Sequence, residues 1–136
     1  GNLMLGSDGI CGVLDWELAH IGDPMADMGW LCMESWRFGN ADPVGGLGHR
    51  EDLFAGYEAA GGDPVDPATV RWWEILSALR WGVIIEEMAA WVREGTDTSV
   101  ERHVIARRAS ETEAILLLHL LEGPRRDFGG RCCMAA

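Results

Sequence analysis

The first 16 residues alternate short apolar runs with a polar turn. Apolar residues dominate positions 3–5 and 10–14, and positions 6–9 between them read Gly-Ser-Asp-Gly. An Asp-Gly pair between two apolar runs is typical of a tight hairpin turn, because its second residue takes a positive φ that glycine tolerates. The pattern therefore predicts a β-hairpin over residues 2–16.

Helical patterns occupy most of the remaining chain. An aspartate followed by a proline indicates a helix start, since the aspartate caps free backbone N–H groups and the proline fits the first helical position. The Asp-Pro pairs at residues 23–24 and 66–67 precede helical patterns, and Thr98 with Glu101 fits a capping box. Four helices are predicted, over residues 23–36, 50–60, 66–94 and 98–121, with a glycine-rich loop over residues 39–49.

The predicted helix over residues 66–94 carries apolar side chains around most of its circumference, which indicates a central and buried helix. Tryptophans recur along it at near-helical spacing, and we expect them in the core rather than in a ligand-stacking cage. They are Trp72, Trp73, Trp81 and Trp91. These elements predict an α+β, mostly helical fold in which a β-hairpin precedes about four helices.

Composition and charge narrow the class of protein. The 136 residues include 11 basic side chains, all of them arginine, and 22 acidic ones, for a formal charge of −11. At 48% apolar residues, this composition is typical of one globular domain. The acidic balance argues against nucleic-acid binding, which needs clustered cations. With no membrane span or signal peptide, and four cysteines expected to be reduced, we expect a cytoplasmic protein without a membrane partner.

One pair of polar residues stands out at the ends of the predicted hairpin. Asn2 precedes the first strand and Asp15 follows the second. Because a two-stranded hairpin brings its two ends together, we expect these side chains to lie side by side. Oxygen ligands of this kind are those that Mg²⁺ prefers. The alternative is that Asp15 only caps a turn.

The same residues carry a family resemblance. Asn2, the thirteen-residue step to Asp15 and the run Asp-Trp-Glu-Leu-Ala-His-Ile-Gly-Asp-Pro-x-x-Asp over residues 15–27 resemble the aminoglycoside-phosphotransferase-like kinases. More narrowly, they are similar to a bacterial branch of kinase-like domains associated with acyl-CoA dehydrogenases. Further matches are Trp30, Trp-Arg-Phe-Gly at 36–39, Tyr-Glu-Ala-Ala-Gly at 57–61 and Trp-Trp-Glu at 72–74. The resemblance implies a protein-kinase-like carboxy-terminal lobe over residues 1–121, followed by a disordered tail over residues 122–136.

The resemblance also implies roles for individual residues. Asn2 matches the last residue of the catalytic loop, and Asp15 matches the aspartate that bridges Mg²⁺ to the nucleotide phosphates. Asp23 and Asp27 match positions that support the site structurally, by capping the next helix and bracing the catalytic loop. The catalytic aspartate would lie upstream of Gly1, and the family's phosphate-contacting lysine has no counterpart because the sequence contains no lysine. Residues that bind the nucleotide are not identified.

These matches predict the reaction and its partners. The full-length protein would be an ATP- or GTP-dependent, Mg²⁺-dependent kinase that phosphorylates a hydroxyl group of a small molecule, either aminoglycoside-like or hydroxyacyl. The 136 residues would form an inactive fragment that requires a missing amino-terminal lobe, and their oligomeric state stays open. The alternative is a noncatalytic kinase-like module that serves as a binding or scaffolding domain.

Glu86 and Glu87 either face solvent or line an acceptor cleft between the last helices.

Two other metal chemistries are weaker readings of the sequence. Glu17-x-x-His20 has the spacing of a di-iron ligand pair, but only one copy occurs where such sites need two. Metal-assisted hydrolysis by Asp15, Glu17 and Asp27 lacks an accompanying nucleophile or base.

Arg107 and Arg108 are expected on the exposed side of the last predicted helix. The alternative is that they contact a phosphate group of an acyl-CoA.

Overall fold

Two β-strands and five α-helices follow one another in the computed structural model of the protein, which describes residues 2–122. The fold is α+β and mostly helical, as the sequence predicts. The expected disorder of residues 122–136 and the pair Cys132-Cys133 fall almost wholly outside the described residues. The elements are β1 Leu3–Gly6, β2 Gly9–Val13, α1 Met25–Cys32, α2 Arg50–Ala59, α3 Pro67–Glu94, α4 Val100–Ala106 and α5 Ala109–Glu122.

The hairpin forms where the Asp-Gly turn predicts it. Strands β1 and β2 pair antiparallel, with Leu3 opposite Val13 and Gly6 opposite Gly9, and one irregularity in the ladder follows Met4. Gly9 takes a φ of 114°, a value that only glycine adopts without strain. None of the hairpin side chains is buried, so the hairpin lies on the surface of the described structure.

Helix α3 is central, since α1, α4 and α5 all pack against it. It is nevertheless buried only along stripes, and the prediction of an all-round buried helix is wrong. Trp81 is 8% exposed, whereas Trp72 is 57% and Trp91 37% exposed, so two of the four tryptophans expected in the core face solvent. The reason is geometric: the three packed helices leave one side of α3 uncovered.

Helix α1 lies directly on α3 because Gly29 has no side chain at the crossing point. A Cβ atom at Gly29 would lie 2.6 Å from the backbone nitrogen of Glu74 and 2.6 Å from Trp73 Cβ. Neither partner is a flexible side-chain end that could move away. The contact therefore fixes the distance between the two helices.

We expect Gly29→Ala to lower the free energy of unfolding by about 1–3 kcal/mol, because α1 would have to move away from α3. Gly56→Ala is the matched control. Gly56 lies inside α2, and an added Cβ there meets nothing within 4 Å, so this change should stabilise by up to about 1 kcal/mol. Urea denaturation of both variants measures the difference. Equal stabilities of the two variants would contradict the close packing at Gly29.

The last predicted helix is divided in two. Helix α4 ends at Ala106 and α5 begins at Ala109, with the two arginines between them. Arg108 is not on an exposed side: it pairs with Glu111 at 2.8 Å and donates to the carbonyl oxygen of Ser35 at 2.9 Å. The expectation of an exposed arginine pair is therefore wrong for Arg108, because its guanidinium group packs against the turn at Ser35 that follows α1.

The start of α4 also differs from the predicted capping box. Ser99, rather than Thr98, is the cap, and its hydroxyl oxygen accepts a hydrogen bond from the backbone N–H of Arg102 at 3.3 Å. Asp97 accepts from the N–H of Ser99 at 2.9 Å, and its pKa falls to about 2 because hydrogen bonds stabilise the charged form. Asp97 and Ser99 thus share the capping that the sequence pattern attributes to Thr98.

A fully buried carboxylate, Glu74, holds three segments together. Its oxygens contact Arg37 at 3.2 Å, Arg50 at 2.8 and 2.9 Å, and Arg71 at 3.1 Å. The three arginines lie after α1, at the start of α2 and on α3. Arg37 also donates to the carbonyl oxygen of Cys32 at 2.8 Å, at the end of α1. The charge of Glu74 is therefore fully compensated in the interior.

A second part of the network reaches α5 through His119. Arg71 Nη2 lies 2.6 Å from His119 Nδ1, and since arginine only donates, the Nδ1 atom accepts and the Nε2–H faces Glu34, 3.4 Å away. Burial of the Glu34 carboxyl works to raise its pKa, but the contact with His119 and the charge of Arg37 outweigh burial and lower the pKa to about 2. Glu34 is thus ionised in the folded protein.

Because the folded-state pKa of Glu34 lies below its ordinary value of 4.5, this carboxylate stabilises the fold above that value. The contribution is lost as the pH falls from 4.5 toward 2. We expect Glu34→Gln to cost on the order of 1–2 kcal/mol at pH 6, after allowance for solvent screening, and almost nothing at pH 2. Denaturant titrations of both proteins across this range measure it. A difference that does not change with pH would argue against the electrostatic role.

No helix within residues 2–122 is long and apolar enough to cross a bilayer.

Of the cysteines that the structure describes, Cys11 is exposed and Cys32 is fully buried, and both are free thiols. Burial raises the pKa of Cys32 to about 11, so this thiol stays protonated.

Candidate functional site

The open end of the hairpin brings Asn2 and Asp15 together. Asn2 Nδ2 donates a hydrogen bond to Asp15 Oδ2 at 2.8 Å, and both side chains are exposed. The backbone supports this contact, since the N–H of Leu14 donates to the carbonyl oxygen of Asn2 at 2.8 Å. The two residues are thus side by side, in the arrangement that the hairpin pattern predicts. Whether they bind a metal ion stays a prediction.

Asp15 has an unusual backbone conformation. Its φ and ψ are 65° and 60°, in the left-handed region that residues other than glycine rarely adopt. The chain turns there from β2 into a short 3₁₀ turn over Trp16–Leu18, and Trp16 Nε1 donates back to the carbonyl oxygen of Val13 at 2.8 Å. Strained non-glycine residues of this kind concentrate at functional sites. The turn directs the Asp15 carboxylate toward Asn2.

Asp23 connects the site segment to the helices with both of its carboxylate oxygens. Oδ1 accepts from the backbone N–H of Met25 at 2.9 Å, at the start of α1, and Oδ2 accepts from Trp73 Nε1 at 2.8 Å. Asp27 lies exposed in the first turn of α1. Its carboxylate makes no hydrogen bond or ion pair within residues 2–122. The structure thus gives Asp23 defined partners and leaves the expected support by Asp27 a prediction.

The pair of Asn2 and Asp15 is chemically suited to Mg²⁺. Their hydrogen bond uses one atom of each side chain, and Oδ1 of each residue is left for a cation. Mg²⁺ keeps several waters and is commonly held by one or two protein carboxylates together with substrate phosphates. Two exposed oxygen-bearing side chains therefore meet the requirement without a further protein ligand.

Other metal sites are not supported in the described part of the chain. Within residues 2–122, no three histidine, cysteine, aspartate or glutamate side chains converge on a point where they could hold a metal ion. The three-carboxylate arrangement of Asp15, Glu17 and Asp27 is therefore not formed, nor is a di-iron site around Glu17 and His20. His20 is exposed, and its Nδ1 lies 3.0 Å from the carbonyl oxygen of Leu18.

Grooves on the helical body include acidic residues in their lining. One of about 520 Å³ lies between α1 and α2 and is lined mainly by apolar surface, with Asp27 and Asp52 among its residues. The other, about 250 Å³, lies between α3 and α5 and includes Glu86. Glu86 thus borders the kind of cleft considered for an acceptor, whereas Glu87 faces solvent outside it.

The comparison with protein families agrees with this geometry. The family model described as the phosphotransferase enzyme family, APH, matches residues 1–73, which is more than half of the 136 residues. The chain belongs to the APH phosphotransferase family. The matched region contains the hairpin, Asn2, Asp15 and Asp23, and it ends at Trp73.

No curated protein and no solved structure matches this APH chain. The family therefore rests on the match over residues 1–73, and it makes phosphoryl transfer the general class of reaction. The narrower resemblance to domains associated with acyl-CoA dehydrogenases stays a prediction.

Sequence reasoning missed the long-range partners of two neighbouring residues of α3 in this APH chain. The sequence places Trp73 in the core and in the family motif at 72–74, but it does not predict that the indole N–H donates to Asp23, 50 positions away. Glu74 was noted only as part of a motif, yet it is fully buried among three arginines. The spacing of Arg71 and Glu74, three residues apart on a helix, is the one local signal that indicates a pair. Both residues join α3 to segments that precede it.

Proposed function

We propose that the chain is part of an ATP- and Mg²⁺-dependent phosphotransferase that acts on a hydroxyl group of a small molecule. The observation that carries this proposal is the contact of Asn2 with Asp15 across the open end of the hairpin, at 2.8 Å. Membership in the APH family supports the reaction class. The exposed position of both side chains supports access by a nucleotide from solvent.

In this proposal, Asn2 and Asp15 hold Mg²⁺ against the nucleotide phosphates. Phosphoryl transfer depends mainly on positioning the reactants and on neutralising charge that develops on the phosphate oxygens. The bound cation would supply that neutralisation. The left-handed turn at Asp15 and its hydrogen bond to Asn2 pre-set the direction of the carboxylate, so that little reorganisation is needed when the cation binds.

The rest of the catalytic machinery is proposed to come from residues other than these 136. The sequence contains no lysine to contact the phosphates, and no base is assigned within it. We propose that the helices from α2 to α5 form the acceptor side. An acceptor that carries a hydroxyl group, either aminoglycoside-like or hydroxyacyl, would bind there, and GTP is an alternative nucleotide.

The test is a transfer assay with the protein extended to the start of its genomic reading frame. The extended protein is incubated with Mg²⁺, radiolabelled ATP or GTP and a panel of hydroxyl compounds. We expect label to appear on one chemical class of acceptor, and no transfer by the 136-residue chain alone. Nucleotide binding without transfer to any acceptor would favour a noncatalytic kinase-like module instead.

A further inference from the structure

The segment that bears Asn2 and Asp15 is attached to the helical body by very few polar contacts. Residues 2–23 contain no buried side chain. Within the described range, one hydrogen bond joins this segment to any element beyond α1, and no ion pair does so. That hydrogen bond is from Trp73 Nε1 to Asp23 Oδ2, at 2.8 Å.

Trp73 is itself held firmly. It lies where α1 crosses α3, and its Cβ is the atom that an added Cβ at Gly29 would meet at 2.6 Å. Its ring packs on the buried cluster that includes Met25, Met28 and Phe54. A donor fixed in this way defines a direction for its acceptor, whereas a mobile surface donor would not.

Asp23 transmits that direction to the chain before it. One carboxylate oxygen caps α1 through the N–H of Met25, while the other accepts from the indole. Hydrogen bonds to an ionised acceptor are roughly twice as strong as those between neutral groups. The carboxylate therefore ties the end of the segment that leads back to Asp15 both to α1 and to α3.

We propose that Trp73 is a positioning residue, whose indole N–H holds the Asp23 carboxylate and so sets the orientation of the metal-binding hairpin on the helices. This inference rests on the proposed function only for the metal at Asn2 and Asp15. The orientation itself concerns the fold. In a phosphotransferase, it would determine where the nucleotide phosphates lie relative to an acceptor bound by the helices.

A distance measurement between the hairpin and α3 tests the proposal. Spin labels are placed on the exposed Cys11 in β2 and on Glu87→Cys in α3, with Cys132 and Cys133 replaced by serine; Cys32 is fully buried and should not react. Pulsed electron–electron double resonance then gives the distribution of distances between the two spin labels. We expect a single narrow distribution for the parent protein.

Trp73→Phe keeps an aromatic ring and removes the indole N–H. We expect the distribution to become at least about twofold wider, because the segment gains freedom to open locally. Trp72→Phe is the matched control: Trp72 is the neighbouring indole, 57% exposed, and it makes no such bond. Its distribution should not change. An unchanged distribution for Trp73→Phe, with circular dichroism showing a folded protein, would overturn the proposal.

Asp23→Asn decides the matter if Trp73→Phe does not fold. Asparagine has one acceptor oxygen in place of two, so it cannot accept from both the Met25 N–H and the indole N–H, and one of the two bonds that tie Asp23 to the helices is lost while Trp73 is untouched. We expect the same widening as for Trp73→Phe, and no further widening in the double variant. A narrow distribution for Asp23→Asn would overturn the proposal.

Metal binding separates this inference from the proposed function. Because the hairpin alone holds Asn2 beside Asp15, Trp73→Phe should leave the affinity for Mn²⁺, used as a probe for Mg²⁺, within about twofold of the parent. In the extended protein, kcat should fall about 10- to 100-fold with KM for the nucleotide little changed. Failure of the parent to bind Mn²⁺ would refute the metal site and leave the distance result standing. A Mn²⁺ affinity that falls together with the widening would contradict a purely positioning role.

Discussion

Replacement of Glu74 by glutamine is expected to lower the free energy of unfolding by about 3–5 kcal/mol, the cost of leaving buried charges without their partner. The Glu74 side chain has no exposed surface, and three guanidinium groups converge on it. Glutamine has nearly the same shape, so the packing is retained while the negative charge is lost. Arg37, Arg50 and Arg71 would then repel one another without the carboxylate on which all three converge.

Glu111→Gln provides the matched control for Glu74→Gln. Glu111 pairs with Arg108 at 2.8 Å, but its side chain is 39% exposed, and such pairs contribute about 0–1 kcal/mol. Urea denaturation followed by circular dichroism compares the two variants with the parent protein. Equal losses would show that burial of Glu74 does not set its importance. A Glu74→Gln protein as stable as the parent would show that the three arginines find other partners.

Replacement of Asp15 by asparagine is expected to weaken Mn²⁺ binding at least about 100-fold, since a cation gains several kcal/mol from an anionic ligand and 2.7 kcal/mol corresponds to that factor. Asparagine has nearly the same size as aspartate and keeps an oxygen that can accept from Asn2, so the hairpin should persist. In the extended protein, phosphoryl transfer should fall by about 10²–10³-fold, the loss typical when one electrostatic contact to a transition state is removed.

Glu17→Gln is the control for the Asp15 substitution. Glu17 lies two residues away in the 3₁₀ turn, is exposed and carries the same charge. It should bind Mn²⁺ within about twofold of the parent, since exposed charges at longer range are screened by salt. Mn²⁺-induced broadening of the Asn2 side-chain amide signals in NMR spectra localises the ion. Equal weakening by both substitutions would indicate nonspecific attraction to an acidic surface instead of a site.

The hairpin and the pairing of its ends could be predicted because the information is local. The Asp-Gly turn fixes which residues face each other, and Asn2 and Asp15 then meet across thirteen positions. The contacts of Glu74 could not be predicted in the same way. Arg37 and Arg50 lie 37 and 24 positions from it, so their meeting depends on how α1 and α2 pack on α3.

The division of the last helix was hidden for a related reason. Arg107 and Arg108 are both good helix formers, so the local sequence favours a continuous helix. The structure interrupts it where Arg108 reaches Ser35, 73 positions earlier. Tertiary contacts that override local propensity leave no periodic signal, and the exposed sides of α3 were misjudged because hydrophobic periodicity does not show which neighbours are present.

The bonding register of the hairpin gives the thirteen-residue step from Asn2 to Asp15 an evolutionary meaning. Leu3 faces Val13 and Gly6 faces Gly9, so the ladder leaves only two residues for the turn. The ladder already takes up one extra residue, Cys11, at the irregularity after Met4. A further slip of one residue between the strands would move the side chains of the slipped strand to the opposite face. The spacing from Asn2 to Asp15 should therefore change rarely among relatives that keep both residues, even though the turn is exposed. Loops elsewhere on the helical body are free of this constraint, so insertions should accumulate there.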